Sequence, residues 1–483
     1  MFFDIATKLF KEENAEANKI AFVAADKNLS WAELKILSDK ICENLKTINI
    51  PTGYPVLIYG DKEAFFLAAI LSCYRMNLCF VPLSPALPKK RIEKIIAQTQ
   101  SVVLINCGDY KDVPKIDLTI GKDLATAKSP YPSPTGEGVN YILFTSGSSG
   151  EPKGVKISNE NIISFTQWFV KKFHISEKTV FINQADFSFD ISLADFFGAL
   201  QTGGTAIFNT SKISTNTNLF FERINNYKGS YWNSTPSFVF KCLSDKNFNA
   251  QTLPSINQFV LSGENLSLQL VSALKKRFSK AKIINAYGPT ETTIYASCTE
   301  VTDDLLNENT LPICKVGDEK IILKDDEIII SGNVVGLGYL NNEALTQERF
   351  YTSENKNSFR TGDLAFVKND YIYFNGRKDE QIKFNGYRIE LNEIKHVLEK
   401  IEFIVQAECV PIVIYEKVKR LIAFVKISFT QPSSKEGAAI QDFLKKELPS
   451  YMIPSEIIVI KEFPHTTSFK IDTKKLLGDY LEK

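Results

Sequence analysis

A chain of 483 residues, 44% of them hydrophobic, has enough apolar surface for one large domain or two to four packed units. Its net charge of +1 gives no reason to expect nucleic acid or an anionic membrane as the main partner. Eight scattered cysteines without a Cys-x-x-Cys pair, and three histidines far apart, argue against zinc and for buried free thiols in a reducing cytoplasm.

The opening residues, MFFDIATKLFKEE, have no basic segment followed by a long apolar core, so no secretory leader is expected. The longest apolar run, 64–73, is too short to span a bilayer, and no membrane insertion is expected. Ser30 should open a helix with an apolar stripe of Leu34, Leu37 and Ile41. Residues 56–59 read as a buried strand, Asp61 as the cap of a helix over 64–74, and 78–81 as the next strand. A helix over 91–99 and a strand over 102–105 follow. Strands alternating with helices of this length predict βαβ units and a parallel sheet.

Residues 141–157, YILFTSGSSGEPKGVKI, begin as a strand and break into Thr145, Ser146, Gly147, Ser148, Ser149 and Gly150 before Lys153. Such a loop leaves backbone N–H groups free to converge, while its hydroxyls and the lysine add donors and charge. That suits a phosphate cradle; a polar surface turn is the alternative. The spacing is not that of a Walker loop.

Ser158 should cap a helix with Ile162, Phe165, Phe169 and Phe173 near one face. A strand over 180–183 leads into Ala185-Asp186-Phe187-Ser188-Phe189-Asp190, a helix over 193–200 and a Gly203-Gly204 turn. Residues 231–236 read as a strand and turn, 258–261 as a strand ending at Ser262-Gly263-Glu264, and 283–286 as a strand entering Tyr287-Gly288-Pro289-Thr290-Glu291. Ligands of open α/β sheets bind at the carboxyl ends of strands. There Tyr287 could stack on a base, Thr290 could donate to a phosphate and Glu291 could hold Mg²⁺; the alternative is an ordinary Gly-Pro turn. From about Ile313 short strands and tight turns, with a hairpin at Lys324-Asp325-Asp326, suggest a smaller β subdomain. A boundary is expected at Asp379, and the more charged remainder reads strand, helix, strand, strand, helix.

The loop 145–154, the YGPTE stretch, Phe359-Arg360-Thr361-Gly362-Asp363 and Gly376-Arg377-Lys378-Asp379 stand in one order at one spacing. Together they resemble the adenylate-forming superfamily of acyl-CoA synthetases, luciferases and peptide-synthetase adenylation domains, over essentially the whole chain. The resemblance implies an α/β fold. A large N-terminal domain, 1–378, would hold parallel-rich sheets flanked by helices and the small β subdomain; a small mobile α+β domain, 379–483, would follow. It implies ATP and Mg²⁺ as cofactors. The ATP-binding residues would be Thr145, Ser146, Gly147, Ser148, Ser149, Gly150, Lys153, Gly263, Glu264, Asn285, Ala286, Tyr287, Gly288, Thr290, Asp363, Arg377 and Lys470. Asp363 would accept hydrogen bonds from the ribose hydroxyls, which suits an acceptor-only carboxylate. Thr290, Glu291 and Lys470 would be catalytic, with Glu291 on the metal and Lys470 bridging the substrate carboxylate and the α-phosphate. Asp379 would be the hinge, and Gly386 would leave room for a carrier's pantetheine arm. Ser468-Phe469 replaces the Asn-Gly that usually precedes the lysine, and a φ > 0 that glycine takes freely is costly for phenylalanine.

Within the superfamily the likeness is strongest to the D-alanine–carrier-protein ligases, through Phe187-Ser188-Phe189-Asp190, Ser234-Thr235-Pro236-Ser237-Phe238 and Leu448-Pro449-Ser450-Tyr451-Met452-Ile453-Pro454. The resemblance implies an ATP-dependent, AMP-forming ligase. It would activate a small amino acid, D-alanine first among the candidates, and load it on a separate phosphopantetheinylated carrier protein. Asp190, Ser262 and Lys470 would contact the substrate. A buried Asp190 would pair with an ammonium, although it could equally cap the next helix. Ser262 stands where that subgroup usually has Cys. The rival readings are a carboxylic acid–CoA ligase and a non-catalytic nucleotide-binding regulator.

Overall fold

The computed structural model describes residues 15–48, 50–101, 103–108, 118–120, 138–147, 150–379, 381–414, 417–428, 434–465 and 471–481. Two compact units emerge: one of residues 1–85, 96–144 and 154–378, the other of 86–95, 145–153 and 379–483.

The first unit holds an eight-stranded sheet in the order Ser297–Glu300, Lys282–Tyr287, Gln258–Leu261, Tyr231–Ser234, Val180–Asn183, Thr205–Phe208, Ile20–Val23, Asn28–Ser30. Its six central strands pair in parallel and its two edges pair antiparallel. Parallel strands covered on both faces read as continuous apolar runs, as in the fully buried Thr205–Phe208 and Gln258–Leu261. The carboxyl ends of the central strands therefore share one edge, where Asn183, Ser234, Leu261 and Tyr287 lie. A second, six-stranded sheet runs Leu118–Ile120, Val103–Asn106, Pro55–Tyr59, Cys79–Leu83, Val139–Thr145, Lys153–Ser158.

Helix starts follow local chemistry. The Ser30 hydroxyl accepts from Glu33 N while the Glu33 carboxylate accepts from Ser30 N, closing a capping box before helix Trp31–Thr47. Ser158 and Asn161 do the same before Asn159–Lys172. Asp61 does not cap the helix Ala64–Arg75: Glu63 holds the cap position, and Ala64 N donates to Asp26 Oδ1 at 2.8 Å. Asp61 stands two residues too early to reach that first N–H group. Ile162, Phe165, Phe169 and Phe173 are all buried in one core with Tyr231 and Tyr295.

The predicted β subdomain is a six-stranded antiparallel sheet built around Lys356–Lys368, including the hairpin Ile321–Lys324/Glu327–Ser331. Its turn residues Asp325 and Asp326 take φ of 50° and 60°, the left-handed pair that matches strand twist in a two-residue hairpin.

In the second unit the strand expected after Asp379 is a hairpin, Gln381–Phe384/Tyr387–Glu390. Asn385 and Gly386, at φ 51° and 85°, make its turn. Helix Leu391–Glu399 follows, then the sheet Ile404–Ile414, Lys417–Ile427, Glu456–Val459 with helices Ser434–Glu447 and Thr473–Leu481. The last strand and helix extend the predicted order. All eight cysteines are free and buried. No helix among the described residues is long and apolar enough to cross a membrane.

Candidate active site

Three motifs far apart in sequence meet in the first unit. Tyr287 ends its strand and donates its hydroxyl to Asp363 Oδ2 at 2.6 Å. Antiparallel register sets Asp363 opposite Arg377, and the guanidinium pairs with Asp363 Oδ1 and donates to Thr361 O at 3.2 Å. The Asp363 carboxylate, 2% exposed, is thus held on both oxygens. Burial, then the Asp363 charge, push the Tyr287 phenol well above its ordinary range, so it stays a donor. Gly288 is required by close packing: a Cβ there would meet Ala296 N and Ile294 O, each at 2.7 Å. Asn285 donates to Pro312 O at 2.9 Å, beside the buried Ala286.

Thr290 begins a short 3-10 turn and is half-buried. The fully buried Glu291 accepts from Tyr339 Oη at 2.8 Å. Beyond Thr292 the backbone is strained: Thr293 and Ile294, both β-branched, take φ of 57° and 71°. Thr293 is held there by its hydroxyl, which donates to Val334 O at 2.7 Å. Among the described residues no three His, Cys, Asp or Glu side chains cluster to hold a metal. A single buried carboxylate nevertheless suits Mg²⁺, which keeps waters and substrate phosphates as its other ligands.

The Ser262 to Glu264 turn uses Gly263 at φ 85°. The Glu264 carboxylate accepts from Ser237 N and Oγ at 2.9 and 2.8 Å. Asp190 occupies the N-cap position of Ile191–Thr202, but its side chain makes no capping hydrogen bond. Its charge bears instead on two buried phenols, Tyr141 and Tyr295, each pushed well above the ordinary range chiefly by burial.

Sequence reasoning missed what lies behind Asp190. Asp195, 1% exposed, accepts from Asn183 Nδ2 and Asn233 Nδ2, each at 3.0 Å. Burial pushes its carboxyl up to about 8, against the two amide hydrogen bonds. Lys62, also 1% exposed and at φ 69°, donates to Asn209 O at 2.6 Å. Burial pulls its ammonium down to about 8, opposed by Asp61, Asp186 and Asp195. The signals were an aspartate inside the apolar run ISLADFFGAL and asparagines at the ends of buried strands.

The phosphate-loop residues belong to the second unit. Ser146 Oγ donates to Arg388 O at 2.8 Å, and Gly147 N to Glu393 Oε2 at 3.1 Å. Lys153 Nζ pairs with Glu390 Oε1 at 3.2 Å. Gly147 N and Lys153 Nζ thus hold carboxylate oxygens, the chemistry of an anion cradle, while Ser146 holds a main-chain carbonyl. Thr145 Oγ1 is buried without a hydrogen-bond partner among the described residues, and Gly150 takes φ 81°. Gly147 has no room for a side chain, since a Cβ would meet Glu151 O at 2.1 Å. Asp379 Oδ1 accepts from Gln381 N at 3.3 Å, and Gly386 is explained locally by its turn. Ser148, Ser149, Phe469 and Lys470 lie outside the described residues. An open groove of about 560 Å³, lined by Trp168, Lys320 and Cys298 among others, contains none of the predicted site residues.

Comparison with known proteins accords with this geometry. Residues 9–340 match the model of the AMP-binding enzyme family and residues 393–470 that of the AMP-binding enzyme C-terminal domain. The chain is 35% identical to a D-alanine–D-alanyl carrier protein ligase of Bacillus licheniformis, over 96% of this chain and 97% of that protein. It is 34% identical to the ligase of the same name from Bacillus cereus strain AH187, over 96% of each. In fold it resembles the Vibrio cholerae adenylation domain AlmE, solved with glycyl-adenosine-5'-phosphate, at a TM-score of 0.82 and 20% identity, over 99% of this chain and 97% of that one. The sequence motifs, the fold and these full-length matches agree: the chain belongs to the AMP-binding enzyme family.

Proposed function

We propose that the protein is an ATP-dependent, AMP-forming ligase. It activates a small amino acid, D-alanine first, and transfers it to the phosphopantetheine thiol of a separate carrier protein. The observation that carries this reading is the 35% identity, end to end, with a D-alanine–D-alanyl carrier protein ligase. The buried Tyr287–Asp363–Arg377 constellation supports it as a ribose-binding corner.

In the first step a carboxylate oxygen of the amino acid attacks the α-phosphorus of ATP. A phosphorus–oxygen bond forms, and the bond to the β-phosphate oxygen breaks to release pyrophosphate. Asp363 orients the ribose through its hydroxyls, with Arg377 and Tyr287 fixing the carboxylate for that task. Tyr287 also offers its ring face to the base. Gly263, Glu264, Asn285, Ala286 and Gly288 line the nucleotide site. The loop donors of Thr145, Ser146, Gly147, Ser148, Ser149, Gly150 and Lys153 take phosphate oxygens, and Thr290 adds a hydroxyl. Lys470 meets the charge that builds between carboxylate and α-phosphate. Glu291 would hold Mg²⁺, which when bound supplies charge neutralisation at the phosphates.

Asp190 pairs with the substrate ammonium and Ser262 lies along its side chain. In the second step the thiol sulfur attacks the adenylate carbonyl carbon, AMP leaves, and the thiol proton passes to solvent. Gly386 lies on the pantetheine path, and the region beyond the Asp379 hinge moves as the small C-terminal domain, 379–483, relative to 1–378. The eight buried free thiols suit a cytoplasmic setting.

The test is ATP–pyrophosphate exchange with D-alanine, L-alanine, glycine, propionate and a long-chain fatty acid. Exchange driven best by a small amino acid is the expected result. Propionate or the fatty acid outperforming every amino acid would overturn the amino-acid reading and favour a CoA ligase. Exchange with none would favour a non-catalytic nucleotide binder.

A further inference from the structure

The open groove noted above lies wholly in the first unit and shares no residue with the nucleotide or amino-acid sites. Its apolar lining is Ile284 and Cys298, from two paired strands of the large sheet, and Trp168, from helix Asn159–Lys172. Trp168 is held edge-on against Phe173, with centroids 5.6 Å apart. Lys320 lies over the Trp168 ring, its Nζ 3.6 Å from the centroid, and donates to Ala296 O at 3.2 Å.

Lys320 has no carboxylate partner among the described residues. The Asp318 carboxylate accepts from the Lys320 main-chain N at 3.1 Å, and Glu300 pairs with Lys282 at 3.2 Å. Burial accordingly pulls the Lys320 ammonium down to about 8, opposed first by the Asp318 charge. Lys171 and Lys172, from the last turn of the helix, add positive charge to the same lining, against Glu319. An ammonium carries more donors than one carbonyl uses, and a desolvated charge without a counter-ion is costly. A cation held by a ring and a carbonyl, and open to a groove, is an arrangement that an anion completes.

Ala296 connects this cation to the nucleotide corner. Its carbonyl takes Lys320, and its N–H donates to Tyr287 O at 2.9 Å. Tyr287 in turn donates to Asp363. Whatever draws Lys320 off that carbonyl reaches the corner through one fully buried residue.

We propose that the groove is a second ligand site, for a small organic anion. Lys320 takes its carboxylate or phosphate group beside the Trp168 ring, Lys172 adds charge at the rim, and occupancy loosens the nucleotide corner through Ala296. Only that last effect rests on the nucleotide reading of the preceding subsection.

The test uses the full-length protein and its tryptophan fluorescence. Of the three tryptophans Trp31 and Trp232 are fully buried, so Trp168 reports on the groove. Succinate and monoethyl phosphate are the probes, with sodium chloride at matched ionic strength as the control. At least one probe should give a saturable emission change that chloride does not, and the tighter of the two identifies the preferred anionic group. Trp168→Phe should abolish the change. Lys320→Gln should raise the apparent Kd by about tenfold or more, the worth of one charge-assisted hydrogen bond, and Lys320→Arg should keep binding. Lys172→Gln, at an exposed position, serves if Lys320→Gln does not fold, and should weaken binding in the same direction. Saturating probe should raise the KM for ATP by about fivefold or more in the wild type, and not in Lys320→Gln. No saturable change with either probe, or an unchanged Kd in the folded lysine variants, would overturn the site. A KM for ATP that does not move, or that moves equally in Lys320→Gln through competition at the phosphate loop, would overturn the coupling. A wild type without pyrophosphate exchange would overturn the ligase reading and leave the fluorescence test of the site standing.

Discussion

Asp363 is the residue on which the proposed nucleotide corner turns. A buried carboxylate held by both a phenol and a guanidinium keeps its orientation before any ligand arrives. Asp363→Asn should therefore raise the KM for ATP by about 10- to 100-fold, the worth of one charge-assisted hydrogen bond. It should leave the KM for the amino acid nearly unchanged; an equal rise in both would mean that the corner had come apart. Asp190→Asn is the mirror experiment. It keeps the shape and removes the charge. The KM for the amino acid should rise by a similar factor of about 10 to 100 while that for ATP holds. If neither KM moves, Asp190 does not bind the ammonium. These aspartates were singled out in the sequence because they stand inside motifs whose chemistry is local. Asp195 was not, because what matters about it is which strands bring Asn183 and Asn233 to its two oxygens, and that is a fact of register between segments about 50 residues apart.

Among the elements, the Ser30 box shows how a helix start can be read from sequence: Ser, then Glu three residues on, before an apolar stripe. Ser30→Ala should cost about 1 kcal/mol in the stability of the first unit, read as a lowered thermal midpoint. The box also sets a pH dependence. The backbone hydrogen bond from Ser30, then its side chain, hold the Glu33 carboxyl below its ordinary value of 4.5. Since the folded value is the lower one, the contribution is full above about 4.5 and is lost as the pH falls through it. The stability gap between wild type and Ser30→Ala should narrow over that acid range; a gap independent of pH would assign the cost to the hydroxyl alone. The same local logic misplaced a cap on Asp61, because the group that satisfies Ala64 N, Asp26, comes from a different turn of the chain. The single strand expected after Asp379 is a hairpin because Asn385-Gly386 is the dipeptide that a two-residue turn requires, a signal present in the sequence.

For the whole molecule, the proposed two-step reaction makes a demand on the chain that neither step makes alone. A site built to bring a carboxylate to a phosphorus must then admit a thiol to the product of that attack. We place the change of arrangement at Asp379, where the compact first unit ends at Lys378 and the last segment of the second begins. Rotation at one residue needs freedom of φ. Proline removes it, fixing φ near −65° and restricting the residue before it. Asp379→Pro should therefore hold one arrangement and slow one half-reaction far more than the other. Pyrophosphate exchange reads the first, and release of AMP on adding carrier protein to preformed adenylate reads the second. Asp379→Ala, which removes the carboxylate accepting from Gln381 N but leaves φ free, should affect the two rates alike. Equal loss of both in Asp379→Pro, with a lowered thermal midpoint, would mark a folding defect. Equal loss at an unchanged midpoint would place the pivot elsewhere in the chain.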